Sequence, residues 1–363
     1  MGNSDDKRCS RNTSDEAQDG PLTALLREIH GDDVGEFVGR HHVRAFRDDI
    51  PYHVISRVAG GLAWLVPSDE LNRIIAGVLA HALNCYPQVQ LYAFAFLSNH
   101  FHIELRGGPS VTPAFMRYVK QQISLRVGSV FGRSGPTMWD GPYLATALPS
   151  SRAQERAFRY ILAHGVKEGL VERPEEWPGL HSAKQTFFDI PLEGQWFDGT
   201  RFAKALYKER QKPEPKQRPL TRAEFTTRYH DLKLLSRLPA LRQLDDNTYR
   251  AYLSRLRDEI IADGRVERAG RAVLGVRRVI STPRDTPLGM TKPDWYQIRR
   301  RMIAWDDPHS PESVEFRRWY WSVQKRYRAC SAQYRNGDLT VEFPTCTFRP
   351  CTPVMRPAQR KAA

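Results

Sequence analysis

Two neighbouring stretches decide the fold: Leu91-Tyr-Ala-Phe-Ala-Phe-Leu97 and His100-Phe-His-Ile-Glu-Leu-Arg106, joined only by Ser98-Asn99. The first is nearly all apolar and reads as a central strand. The tight Ser98-Asn99 connection leads straight into a second strand, which Gly107-Gly108-Pro109 stops. Residues two apart on a strand share a face, so His100 and His102 lie side by side while Phe101 turns toward the opposite, packed face.

Upstream, Tyr52 to Val58 is a strand by its β-branched content, and Gly60-Gly61 turns the chain. Ser68 then reads as the N-cap of a helix carrying Leu71, Ile74, Ile75, Val78, Leu79 and Leu83 to about Asn84. Downstream, a long helix starts near Pro113 and continues to about Phe131, with Gly132 to Pro136 as a loop. Tyr143 to Leu148 reads as a strand, and Ser150 or Ser151 caps a helix to about His164. The order β-α-β-β-α-β-α predicts an α+β, ferredoxin-like (RRM-like) antiparallel sheet with helices on one face.

The rest of the chain divides by composition. Residues 1–43 read as a largely disordered leader with a short helix near Leu22–Ile29, and residues 44–190 as the α+β domain. Residues 191–219 hold a helix near Gly199–Arg210 and then Gln211 to Pro219, a Pro- and charge-rich linker. Residues 220–345 read as a basic, mainly helical domain, with helices predicted at Arg222–Leu235, Thr248–Ile261, Arg268–Ile280, Asp294–Ile303 and Pro311–Tyr327. Residues 346–363 read as an irregular tail.

With 40% hydrophobic and 26% charged residues, the chain can bury a sizeable core. No apolar run reaches the ~18 residues that a spanning helix needs. Met1 to Gly20 lacks the apolar centre of a signal peptide, and the five cysteines are scattered. A soluble cytoplasmic protein without a disulfide framework is expected. Residues 201–363 carry 35 Lys and Arg against 18 Asp and Glu, while residues 1–200 carry 20 against 23. So one-sided a basic excess points to a polyanionic partner, most often nucleic acid.

Two imidazoles on one strand face suit a metal, although histidines so spaced also occur by chance. Tyr160 and His164 stand four apart on the predicted Ser151–His164 helix, one turn apart on one face. Such a helix, packed on the sheet, could aim a phenol and a third ligand at the pair. An amphipathic-helix aromatic and a helix-C-terminal histidine explain the same spacing. His53 could approach the pair from the first strand or serve as a core histidine.

Five blocks occur in the order of one family. They are Tyr52-His-Val-Ile-Ser-Arg57, Leu97-Ser-Asn-His-Phe-His-Ile-Glu-Leu105, Gly132-Arg-Ser-Gly135 with Trp139-Asp-Gly141, Phe158-Arg-Tyr-Ile161, and Gly169-Leu-Val-Glu-Arg-Pro-Glu175 with Trp177-Pro178. Over residues 44–190 the chain resembles the REP-associated tyrosine transposases, within the single-tyrosine HUH superfamily. The resemblance implies a ferredoxin-like catalytic domain, His100 and His102 as metal ligands, His164 as the third, and Tyr160 as the nucleophile. The implied activity cleaves and rejoins single-stranded DNA at palindromic hairpin ends, through a 5′-phosphotyrosine, with a divalent metal (Mg²⁺ or Mn²⁺). Three imidazoles favour Mn²⁺.

The resemblance leaves a monomer and a homodimer both open, and places the protein with the bacterial nucleoid. His164-Gly165-Val166 replaces the family's usual Asn-Pro-Val, and no basic residue follows Trp139 closely. A non-catalytic hairpin-binding regulator or, more remotely, a relaxase-like initiator would use the same fold. In the basic half, Arg277, Arg278, Arg299, Arg300, Arg301, Arg317, Arg318, Trp321, Lys325 and Arg326 are the candidate DNA contacts, with an amphipathic helix that buries Trp321 as the alternative.

Overall fold

The computed structural model describes residues 43–132, 138–288 and 304–350. Its centre is the hairpin β2 (Gln90–Leu97) and β3 (His100–Arg106), with β1 (Tyr52–Arg57) paired to β3 and β4 (Leu144–Ala147) paired to β1. All three pairings are antiparallel, in the order β2-β3-β1-β4. That is the ferredoxin-like arrangement, so the α+β expectation holds, and a helical C-terminal region follows it.

Helix α1 (Asp69–Cys85) connects β1 to β2, and α2 (Val111–Val130) connects β3 to β4. Ser68 caps α1 by accepting from the Leu71 N–H at 3.2 Å, satisfying one of the donors that a helix start leaves open. The two helices pack against each other on one side of the sheet. Helix α3 (Ser151–Leu162) lies on the other side, capped by Ser150, which accepts from the Ala153 N–H at 3.1 Å. Its apolar stripe includes Phe158, Ile161 and Leu162, which bury against Ala93, Ala95 and Leu97 of β2. Its opposite face carries Arg152 and Arg156 in solvent.

The second half of the chain wraps this unit. After α4 (Ala183–Phe188), strand β5 (Leu192–Phe197) lies on α1, followed by α5 (Gly199–Arg210) and by β6 (Thr226–Leu232), which pairs antiparallel with β5. Helix α6 (Asp246–Arg268) places Leu253, Leu256 and Ile260 in the core cluster of Phe158 and Ile161. The short α7 (Val276–Ile280) and long α8 (Pro311–Arg335) complete the described elements. Both sheet edges are covered: Leu180 to Ser182 and Ser236 hydrogen-bond along β2, and the Trp305 N–H donates to the Ala147 carbonyl beside β4.

Three helix expectations need correction. Arg222–Leu235 is a short 3₁₀ turn (Arg222–Phe225) followed by β6, because Thr226-Thr227 and Tyr229 suit a half-exposed strand and β5 offers a partner edge. Within Arg268–Ile280, Arg268 ends α6 and helix resumes only at Val276, because Ala269 (φ 48°) and Gly270 (φ 81°) adopt left-handed backbone that ends α6. The last helix runs eight residues beyond Tyr327, to Arg335. The predicted helices Leu22–Ile29 and Asp294–Ile303 lie outside the described residues.

Candidate metal and tyrosine site

The β1–β3 register sets Glu104 opposite His53, His102 opposite Ile55 and His100 opposite Arg57. His100, His102 and Glu104 therefore share the sheet face that α3 covers. His164 arrives just past the end of α3, one turn after Tyr160. The structure brings His100, His102 and His164 together, with a ligand atom of each within 4.8 Å of the others. The His102 and His164 rings stack with centroids 4.1 Å apart, and His100 lies 5.0 Å from His102 and 6.0 Å from His164.

A polar partner occupies the Nδ1 atom of each of these histidines. His100 Nδ1 lies 2.6 Å from Asn99 Oδ1, His102 Nδ1 lies 2.9 Å from His53 Nε2, and His164 Nδ1 lies 2.9 Å from Glu168 Oε1. Nδ1 engaged in this way fixes each ring and leaves Nε2 as the atom that could coordinate, the usual arrangement behind metal-bound imidazoles. Burial, reinforced by the neighbouring His164, brings His100 down to about 3. The same causes hold His102 well below the ordinary histidine range. Both are thus neutral at physiological pH, the form that binds metal. Three imidazole nitrogen donors fit a divalent transition metal better than Mg²⁺, which prefers oxygen.

Tyr160 stands against this cluster: its ring centroid lies 4.9 Å from His164, 5.6 Å from His102 and 5.8 Å from His53. Lys167 Nζ sits 3.2 Å from the centre of the phenol ring, a cation–π contact. Trp305 packs from the far side, 5.1 Å from Tyr160 and 5.2 Å from His53. Beneath the site, Glu104 is fully buried, and neither carboxyl oxygen has a hydrogen-bond partner among the described residues. Burial raises its pKa well above the carboxylate range, favouring the protonated acid.

Sequence reasoning did not single out Glu168, Lys167 or Trp305. Glu168 had a local signal, four residues after His164, whereas Trp305 had none, because only the edge contact at Ala147 carries it to the site.

The predicted DNA contacts separate. Arg277 and Arg278 on α7 and Arg318, Lys325 and Arg326 on α8 are exposed. Arg317 is buried, with Nε 3.2 Å from Ser313 Oγ, and Trp321 is 5% exposed, so neither offers a surface to DNA. On that helix the burial alternative describes Trp321. Arg299, Arg300 and Arg301 lie outside the described residues. No described helix is long and apolar enough to cross a membrane.

No protein-family model matches the chain, and no curated protein matches it. Among solved structures it is similar to a REP-associated tyrosine transposase bound to a REP hairpin, at 13% identity and TM-score 0.35, covering 55% of this chain and 100% of that one. It is also similar to a candidate transposase from Deinococcus radiodurans R1, at 22% identity and TM-score 0.24, covering 34% of this chain and 93% of that one.

Proposed function

We propose that the protein is a metal-assisted single-strand DNA transesterase that cleaves and rejoins hairpin ends through Tyr160. The observation that carries this reading is the placement of one phenol, 4.9 Å from His164 and 5.6 Å from His102, against three clustered imidazoles of the same chain. The Tyr160 oxygen attacks the phosphorus of a DNA phosphodiester, and the bond from phosphorus to the 3′-oxygen breaks. The products are a 5′-phosphotyrosine and a free 3′-hydroxyl; the phenol releases its proton and the departing oxygen gains one. Attack by a 3′-hydroxyl on the phosphotyrosine reverses the exchange, so no nucleotide hydrolysis is needed.

A phenol with a pKa near ~10 is a weak nucleophile at neutral pH, so the site must supply electrophilic help. A divalent cation held by His100, His102 and His164 would supply it as a Lewis acid toward the phosphoryl and leaving oxygens. Lys167 holds the phenol ring and adds positive charge where the phosphate arrives.

The test incubates labelled single-stranded hairpin oligonucleotides with the protein and Mn²⁺ or Mg²⁺, followed by denaturing gels. A covalent band is expected with wild type and not with EDTA, and Tyr160→Phe should bind DNA yet form no adduct. Native complexes without a covalent band, across many hairpins, would replace this reading with that of a non-catalytic hairpin-binding regulator.

A further inference from the structure

Two grooves run end to end along the seam between α3 and α6. One, of about 280 Å³, opens beside Tyr160 and is lined by Lys167, Gly264, Glu267 and Trp305. The other, of about 400 Å³, continues past Arg152, Tyr252 and Arg255. Arg156 and Arg159 line both, so the two grooves adjoin there, and the first runs past the phenol to Lys167 and Glu267.

The walls differ in their balance of charge: Glu155 stands among the arginines of α3, and Arg255, 3.8 Å from Glu259, among the carboxylates of α6. On α3, Arg152, Arg156 and Tyr160 follow at four-residue spacing, which sets two guanidinium groups in a row of roughly 6 Å steps leading to the phenol. Both arginines are exposed, and neither makes an ion pair among the described residues. On α6, Glu259, Asp263 and Glu267 repeat the four-residue spacing with carboxylates. Ion pairs cross the seam at Arg159, which binds Glu259 at 2.8 Å and Asp263 at 2.5 Å. Aromatic faces stand along it at Tyr252 and at Trp305, the latter half-buried against Tyr160.

We propose that this seam is the track along which an unpaired DNA strand reaches Tyr160, an assignment that rests on the transesterase reading. Arg152 and Arg156 hold successive phosphates along the α3 wall. Glu267, the α6 carboxylate of the row that makes no ion pair among the described residues, repels phosphate, so the base turns toward it. Trp305 stacks the base next to the phosphate under attack, and rows of cations beside aromatic faces are what single strands bind. A carboxylate accepts from the exocyclic amine of cytosine, and thymine has no such group. The track therefore prefers cytosine over thymine where it passes Glu267.

The test measures anisotropy of fluorescein-labelled oligo(dC) and oligo(dT) across salt with the full chain, beside the covalent-adduct gel. The Arg152→Ala/Arg156→Ala pair should weaken binding about tenfold and lower the salt slope by about 1.4, the value for two single-strand phosphates. Trp305→Ala should cost roughly tenfold, as loss of one stacked base does. Glu267→Gln should erase the preference for dC and leave the salt slope unchanged. Arg250→Ala/Arg265→Ala removes the same charge from residues that line neither groove.

If the seam pair binds no worse than that control, or Trp305→Ala binds as wild type does, the track is overturned. Loss of binding in the seam variants, with no adduct from wild type on any hairpin, keeps the track and removes the transesterase. A wild type that binds neither oligonucleotide removes the track, and the hairpin adduct then decides the transesterase separately.

Discussion

His164 owes its orientation to Glu168, which takes the imidazole N–H at Nδ1 with one oxygen and the Gly165 N–H, at 2.7 Å, with the other. Burial opposes ionisation of that carboxyl, but the hydrogen bond and charge of His164, with Lys167 and Gly165, bring it down to about 2. An ionised acceptor strengthens the donor ability of the ligand nitrogen, so Glu168→Ala should lower Mn²⁺ affinity roughly 10- to 100-fold, read by calorimetric titration without DNA. An unchanged affinity would take Glu168 out of the site. Glu104 behaves differently, because it is buried and unpaired among the described residues, and burial favours its protonated form. Glu104→Gln keeps the shape of the protonated acid that burial favours, so the melting temperature should stay within a few degrees. Glu104→Lys buries a cation among histidines and should not fold.

Among the elements, the contact of α1 with β5 depends on a missing side chain. A Cβ on Gly77 would fall 2.0 Å from the Gln195 carbonyl oxygen, and backbone there cannot swing aside as a side-chain tip can. Gly77→Ala should destabilise by roughly 2–3 kcal/mol in urea unfolding, the upper part of the overpacking range. Gly199, in the first turn of α5, is the contrasting case: its Cβ would meet nothing nearer than 3.6 Å, so Gly199→Ala should stabilise by about 0.4–1 kcal/mol. If both substitutions were neutral, β5 would not be seated on α1. Helix α3 is held similarly by what lies across from it. Arg159 pairs with Glu259 and Asp263, Tyr252 Oη donates to Glu155 at 3.1 Å, and a Cβ on Gly264 would strike Val166.

At the scale of the molecule, the basic half completes the core that holds helix α3, which carries Tyr160. Leu238, Leu241, Leu253, Leu256 and Ile260 share one buried cluster with Phe158 and Ile161. A chain ending at residue 190 would expose those side chains, and it should lose cooperative unfolding by calorimetry or aggregate. A soluble fragment with a sharp transition would show that the first half stands alone.

The sheet was legible in the sequence because its signals are local: period-two patterning, the Ser98-Asn99 connection, and serines before α1 and α3 are short-range causes of short-range structure. The same locality made a facing His100 and His102 readable, and a Tyr160–His164 stripe, since strand and helix periods fix which side chains share a face. The tertiary structure alone decided that the two pairs meet, that His53 rather than a carboxylate supports His102, and that residues 226–232 form a strand. It alone brought Trp305 to the tyrosine. Packing across long sequence separations settled those outcomes, through burial of apolar area and exclusion at single glycines, and neither leaves a periodic trace in the residues that will later touch.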